Sequence, residues 1–139
     1  MTNLREYGRL NLLTALIWGE GRGERIEGKL AIGCCVRNRV NDKRWPNTYE
    51  EVILQDKQFS CFNLEDQNHH SVLNALLPSQ KWKDPVWREC RWAAYAVIDN
   101  WVRDVTHGAN HYNTTGCDPA WDDDMVLTVV IGGHEFFRS

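Results

Sequence analysis

Three glycines alternate with three charged residues at Gly19-Glu20-Gly21-Arg22-Gly23-Glu24, directly after the apolar run from Leu10 to Trp18. Each glycine costs about 1 kcal/mol in a helix interior, so a first helix, read from residues 4–20, has to end here. The stop constrains the next element as well. A second helix must restart within a few residues, and a charged turn poor in side-chain bulk is left between the two. On the first helix Leu10, Leu13 and Ile17 form one apolar stripe, which Leu12 and Leu16 widen.

The second helix is predicted from about Glu24 to Val40, with Ile26, Leu30, Gly33, Cys34 and Val40 on its buried side. Glu24 and Glu27 fall in its first turn and Arg37 and Arg39 in its last, which complements the macrodipole. Thr48-Tyr49-Glu50-Glu51 reads as a capping box ahead of Val52, Ile53 and Leu54. Ser71 to Leu77 reads as a short helix stopped by Pro78. Asp84 is a good N-cap and Pro85 a good first residue for the next helix. On that helix Val86, Cys90, Ala93, Ala94, Val97 and Trp101 follow a 3.6-residue period. Asp104 to Asp124 reads as a long loop. Leu127 to Ile131, then Gly132-Gly133, then His134 to Phe137 reads as a hairpin with a two-residue turn. No repeat or linker interrupts the chain, so the expected fold class is α+β: one mainly helical domain over residues 1–139 with a small C-terminal β-hairpin.

Charge and cysteine usage narrow the functional classes. Lys plus Arg is 16 and Asp plus Glu is 19, a net charge of −3 with no basic run, so no nucleic acid is expected as a partner. The same balance gives no electrostatic pull toward an anionic wall, so a shaped groove would have to do the binding. The five cysteines are odd in number and include no Cys-x-x-Cys, which argues for synthesis in a reducing cytosol. Leu10 to Trp18 is too short to span a membrane, and its Asn11, Thr14 and charged follow-on do not suit a signal peptide. The expectation is a chain made in the cytoplasm without a signal peptide, monomeric, without membrane insertion and without a cofactor.

Glu20 ends an apolar helix between two glycines, which leave room for a substrate to approach its carboxyl. A carboxyl at the negative end of a helix dipole, partly buried against Ile17 and Trp18, is expected to favour the protonated form. A neutral carboxylic acid is what a glycosidase needs to protonate a leaving oxygen. The alternative is a solvated glutamate at a helix end.

The run Gly19 to Glu24, followed by Glu27-Gly28, Ala31 and Arg37-Asn38-Arg39-Val40, resembles the cell-wall hydrolases of the SleB type. The resemblance continues through Trp45-Pro46-Asn47-Thr48, Val52-Ile53, Gln58-Phe59-Ser60, His111-Tyr112-Asn113 and Ile131 to Phe137. It covers nearly the whole chain in order. Gly21 stands where alanine is common, and residues 61–82 match poorly. The resemblance implies a lysozyme-like fold related to lytic transglycosylases, peptidoglycan glycan strands as partner, and Glu20 as the catalytic residue acting on the β-1,4 bond between N-acetylmuramic acid and N-acetylglucosamine. Without an export signal, it points to an endolysin-like member that reaches the wall at host lysis.

Hydrolysis of that bond would need a second carboxylate. Glu24 is the nearest candidate, with a first-turn dipole partner or an ion pair with Arg22 as the alternative; Glu27, Asp118 and Asp122 are weaker. The sequence leaves hydrolase against transglycosylase open, and the resemblance tilts it to the latter. Gln58, Phe59 and Ser60 either contact sugars or anchor their loop, and Tyr112 and Asn113 either contact sugars or fix theirs. Of the seven Trp residues, Trp87, Trp92 and Trp121 are candidates for a groove wall. His107, His111 and Cys117 do not place a metal site on a helix face, so no metal is expected. A Cys–His peptidase or amidase using Cys61 with His111 or His134, and a wall-binding module without chemistry, are the readings from other classes.

Overall fold

The computed structural model describes residues 4–55, 84–116 and 124–139. The helix expected over 71–77 falls outside them. After a 3-10 turn at Leu4–Tyr7, α1 runs from Gly8 to Gly21 and so takes in two of the three alternating glycines before it stops. Every residue of α1 from Leu12 to Gly19 is buried. The expected stripe is therefore a helix enclosed on all sides, because α2 (Ile26–Val40), α3 (Tyr49–Leu54) and α4 (Pro85–Ile98) all pack against it. Thr14 is tolerated there because its hydroxyl donates to the Leu10 carbonyl at 2.6 Å.

The α2 helix is also more enclosed than its pattern predicts, with Gly28 to Arg37 all buried. Gly33 marks its crossing with α4: a Cβ there would lie 2.9 Å from Val97 Cγ2. Cys34, Cys35 and Cys90 are buried and unpaired, and burial pushes the Cys35 and Cys90 thiols up to about 12. Arg37 and Arg39 lie in the last turn of α2, as the sequence suggested, and their side chains also bond beyond it. Arg37 turns inward and donates to the carbonyls of Val97 and Val102 at 3.1 Å, closing the C-terminal end of α4. Arg39 Nε donates to the Asn110 carbonyl at 2.6 Å, and Asn38 Nδ2 reaches Asp104 Oδ2 and the Ala109 carbonyl at 2.9 and 2.8 Å. The Arg-Asn-Arg run thus ties α2 to the segment that leads into the sheet.

Both short-range helix signals hold. The Thr48 hydroxyl accepts from Glu51 N–H at 3.1 Å, and Asp84 Oδ1 accepts from Val86 N–H at 2.8 Å. The expected stripe of α4 holds at Cys90, Ala93, Ala94 and Val97, all buried, and fails at its two ends. Val86 is 40% exposed and Trp101, beyond the helix end, is 75% exposed, whereas Trp87 is 5% exposed. Trp87 turns inward because it meets the edge of Trp18, with ring centroids 6.3 Å apart.

The hairpin is present as β2 (Val126–Ile131) and β3 (His134–Arg138). It has a third strand in what the sequence pattern presents as a loop, β1 (His111–Thr114). The sheet order is β1-β3-β2, antiparallel throughout, with Tyr112 opposite Phe136 and Ile131 opposite His134. One irregularity between Leu127 and Val129 bends the outer strand. Phe136 carries the sheet onto the helical core and is fully buried. No helix among the described residues is long and apolar enough to cross a membrane.

Candidate active site

The turn between α1 and α2 faces the turn between β2 and β3 across a cavity of about 550 Å³. Residues 19–24 form one wall, and Thr114, Gly133 and His134 form the other. Glu20 is the penultimate residue of α1 and half-buried on this wall. Its neighbours Gly19 and Gly21 are buried. Gly21 has a packing reason as well: a Cβ there would meet Ile32 Cδ1 at 2.5 Å. Arg22 lies over the Trp18 ring, 4.5 Å from its centroid, and donates to the Trp18 carbonyl at 3.2 Å.

Glu24 does something the sequence did not show. Its Oε1 accepts from Gly133 N–H at 2.7 Å and from His134 Nδ1 at 2.9 Å. The sequence pattern places Glu24 in the first turn of α2, but that helix starts at Ile26, so Glu24 lies in the turn ahead of it and its carboxylate is held by the hairpin turn instead. Two glycines make its seat. A Cβ on Gly28 would lie 2.9 Å from Glu24 Cβ, and a Cβ on Gly132 would lie 2.7 Å from Glu24 Oε1. Gly132 also adopts φ +57, a conformation L side chains rarely take. Burial raises the Glu24 carboxyl, but the His134 ring, the Gly133 N–H and the Lys29 ammonium together outweigh it and hold it below the ordinary glutamate range. Glu24 is therefore ionised at neutral pH. An ionised acceptor makes Nδ1 of His134 the donor in this bond.

The other candidates fall in several places. Tyr112 stands behind His134, with ring centroids 5.5 Å apart, and also meets Phe136 at 5.8 Å. Asn113 is half-buried opposite Glu135. The residue that β1 presents to the cavity is Thr114. Glu27 is exposed on α2. Gln58, Phe59, Ser60, Cys61, Cys117, Asp118, Trp121 and Asp122 lie outside the described residues. Trp92 is 55% exposed on α4 and Trp87 is in the core. His111 packs edge-on against Trp45 at 5.9 Å, and burial with the nearby Arg39 and Arg44 charges pushes it down to about 4. His107 is exposed in a left-handed turn with φ 55. Among the described residues no three His, Cys, Asp or Glu side chains are grouped as a metal would need.

Sequence reasoning missed Thr114, Gly133 and His134 as a wall of the site. The usable signal was the Gly132-Gly133-His134 run: a two-residue turn needs one left-handed glycine, and a second glycine beside it leaves room for a partner.

Residues 23–137 match the sequence model of a family described as cell wall hydrolases. Glu20 lies just ahead of the matched span. The spore cortex-lytic enzyme of Oceanobacillus iheyensis is 27% identical over 130 residues, covering 93% of this chain. This chain spans 41% of that relative's length. Among solved structures, the catalytic domain of the germination-specific lytic transglycosylase SleB from Bacillus anthracis superposes with a TM-score of 0.72 at 23% identity, covering 94% of this chain and 93% of that one. The catalytic domain of the Bacillus cereus SleB protein does so with a TM-score of 0.70, also at 23% identity, covering 94% and 89%. The α+β plan, mainly helical with its small sheet, is the fold those catalytic domains share.

Proposed function

This chain belongs to the cell wall hydrolase family, and from that premise we propose that it cuts peptidoglycan glycan strands as a lytic transglycosylase. The bond is the β-1,4 link between N-acetylmuramic acid and N-acetylglucosamine, and the catalytic group is Glu20. The Glu20 carboxyl gives its proton to the glycosidic oxygen as the C1–O bond breaks. The resulting carboxylate then takes the proton of the muramic acid O6 hydroxyl while O6 bonds to C1, which closes a 1,6-anhydro ring and restores the acid. One carboxyl serves both steps.

The observation that carries this reading is what Glu24 is doing. Among the described residues that line the cavity, the carboxylates are Glu20 and Glu24. Hydrolysis with a second carboxylate would need Glu24 to activate water or attack the sugar. Its Oε1 is instead held by two donors of the hairpin turn. Among the described residues this favours Glu20 as the acting carboxyl, and one carboxyl is enough for a transglycosylase. Beyond Glu20 the exposed Gly23, with open space where a Cβ would stand, leaves backbone-lined room along the wall where a sugar ring can approach the chain.

Mass spectrometry of digested sacculi tests the reading. Anhydromuramic ends are expected. Reducing muramic acid ends would mean hydrolysis and overturn the transglycosylase reading. Binding to sacculi without release of fragments would mean a wall-binding module.

A further inference from the structure

Lys29 is 3% exposed, in the first turns of α2. An ammonium is costly to take out of water, and near a helix N-terminus it also faces the unfavourable end of the dipole. Methionine would fill a similar volume without either cost. The position therefore calls for an account beyond packing.

The partners of Lys29 supply one. Its Nζ donates to the backbone carbonyl of Glu24 and to Glu89 Oε1, the latter at 2.9 Å. The Glu89 side chain is 47% exposed on α4, so a line of polar contacts runs from that surface, through α2, to the turn at the cavity. There Glu24 is fixed from three sides. Its N–H donates to the Gly21 carbonyl at 3.0 Å, its carbonyl accepts from Lys29, and its carboxylate accepts from Gly133 and His134. Glu20 sits four residues earlier on the same wall.

We propose that Lys29 is a positioning residue for the reaction at Glu20. By holding the Glu24 carbonyl it sets the height of the 21–24 turn, and with it the spacing between the Glu20 wall and the hairpin wall. This rests on the reading of Glu20 as the acid. A lysine that only stabilises the fold would change melting without changing turnover by the folded protein, and a lysine that contacts the glycan would change KM.

The test compares K29M, E24Q and the K29M/E24Q double variant on soluble peptidoglycan fragments, with E20Q as reference. K29M is expected to lower kcat roughly tenfold to a hundredfold with KM within about twofold of the parent, as for loss of an interaction made only in the transition state. The double variant is expected to be no slower than the slower single variant, because both changes act through one turn. A K29M protein with parental kcat overturns the proposal, and so do losses that multiply in the double variant. If K29M does not fold, E89Q decides. A several-fold fall in kcat at unchanged KM supports the proposal, and parental kcat overturns it. E20Q separates the two readings: if it still cuts, the premise falls; if it is inactive beside a fully active K29M, only the role of Lys29 falls.

Discussion

His134 Nδ1 and Glu24 Oε1 meet at 2.9 Å although 110 positions of sequence separate the two residues. The contact joins the only two turns that line the cavity among the described residues, so both the shape and the charge of the site depend on it.

Glu20→Gln should fold as the parent does and fail to cut. The substitution preserves size at a half-buried helix end, so the thermal midpoint should move little. Loss of a general acid typically costs on the order of a hundredfold to ten-thousandfold in rate. Release of soluble fragments from sacculi, measured beside a melting curve, checks both halves. A Cys61→Ala variant should cut normally, which separates glycan cleavage from a Cys–His mechanism.

Glu24→Gln should lower stability by about 2 kcal/mol at neutral pH, because two hydrogen bonds to an ionised acceptor become bonds to a neutral amide. The sign with pH comes from a folded-state carboxyl held below its unfolded value. Its contribution is fully present above the unfolded carboxylate range and is lost as pH falls through the lower folded value. Urea unfolding at a series of acid pH values should therefore show the gap between parent and variant closing as pH falls.

Gly132→Ala should be destabilising by about 2 kcal/mol, from a left-handed backbone and the approach to Glu24 Oε1 together. Activity should fall with it, because the new methyl group displaces the carboxylate that holds the turn. Denaturant unfolding and initial rates on one preparation check this. Gly116, also left-handed with φ +90 but with open space around it, is the control: alanine there should cost stability without touching the clasp.

His111→Gln should flatten part of the pH dependence of stability. The folded histidine is pushed down to about 4, against an ordinary value of 6.5. Between those values the unfolded chain takes up a proton that the folded chain does not, so the parent loses stability as pH falls through this window and no more below it. After allowance for solvent screening the loss is about 1–2 kcal/mol. Unfolding free energies at several pH values across the window should show that slope in the parent and not in the variant.

Local chemistry is readable in the sequence wherever a few neighbouring residues decide the outcome. The Thr48 and Asp84 caps and the Gly132-Gly133 turn are of this kind. The first strand is not readable, because His111-Tyr112-Asn113-Thr114 has no apolar alternation and is a strand only through its pairing with residues 134–137. Trp87 lies off the apolar stripe of its helix and is buried all the same, because its partner is Trp18, on another helix. At the site, Glu20 can be singled out from its glycine neighbours and the family resemblance. Glu24 can be noticed, but its task cannot, since both donors to its carboxylate come from the far end of the sequence.

The clasp also sets an order of events. Bringing residues 24 and 133 together closes a loop of more than a hundred residues, whereas each helix forms from contacts a few positions apart. Refolding should therefore restore helical ellipticity before it restores cleavage, and a chain halted between those stages would hold Glu20 at the end of its helix with no opposite wall to press a glycan against it.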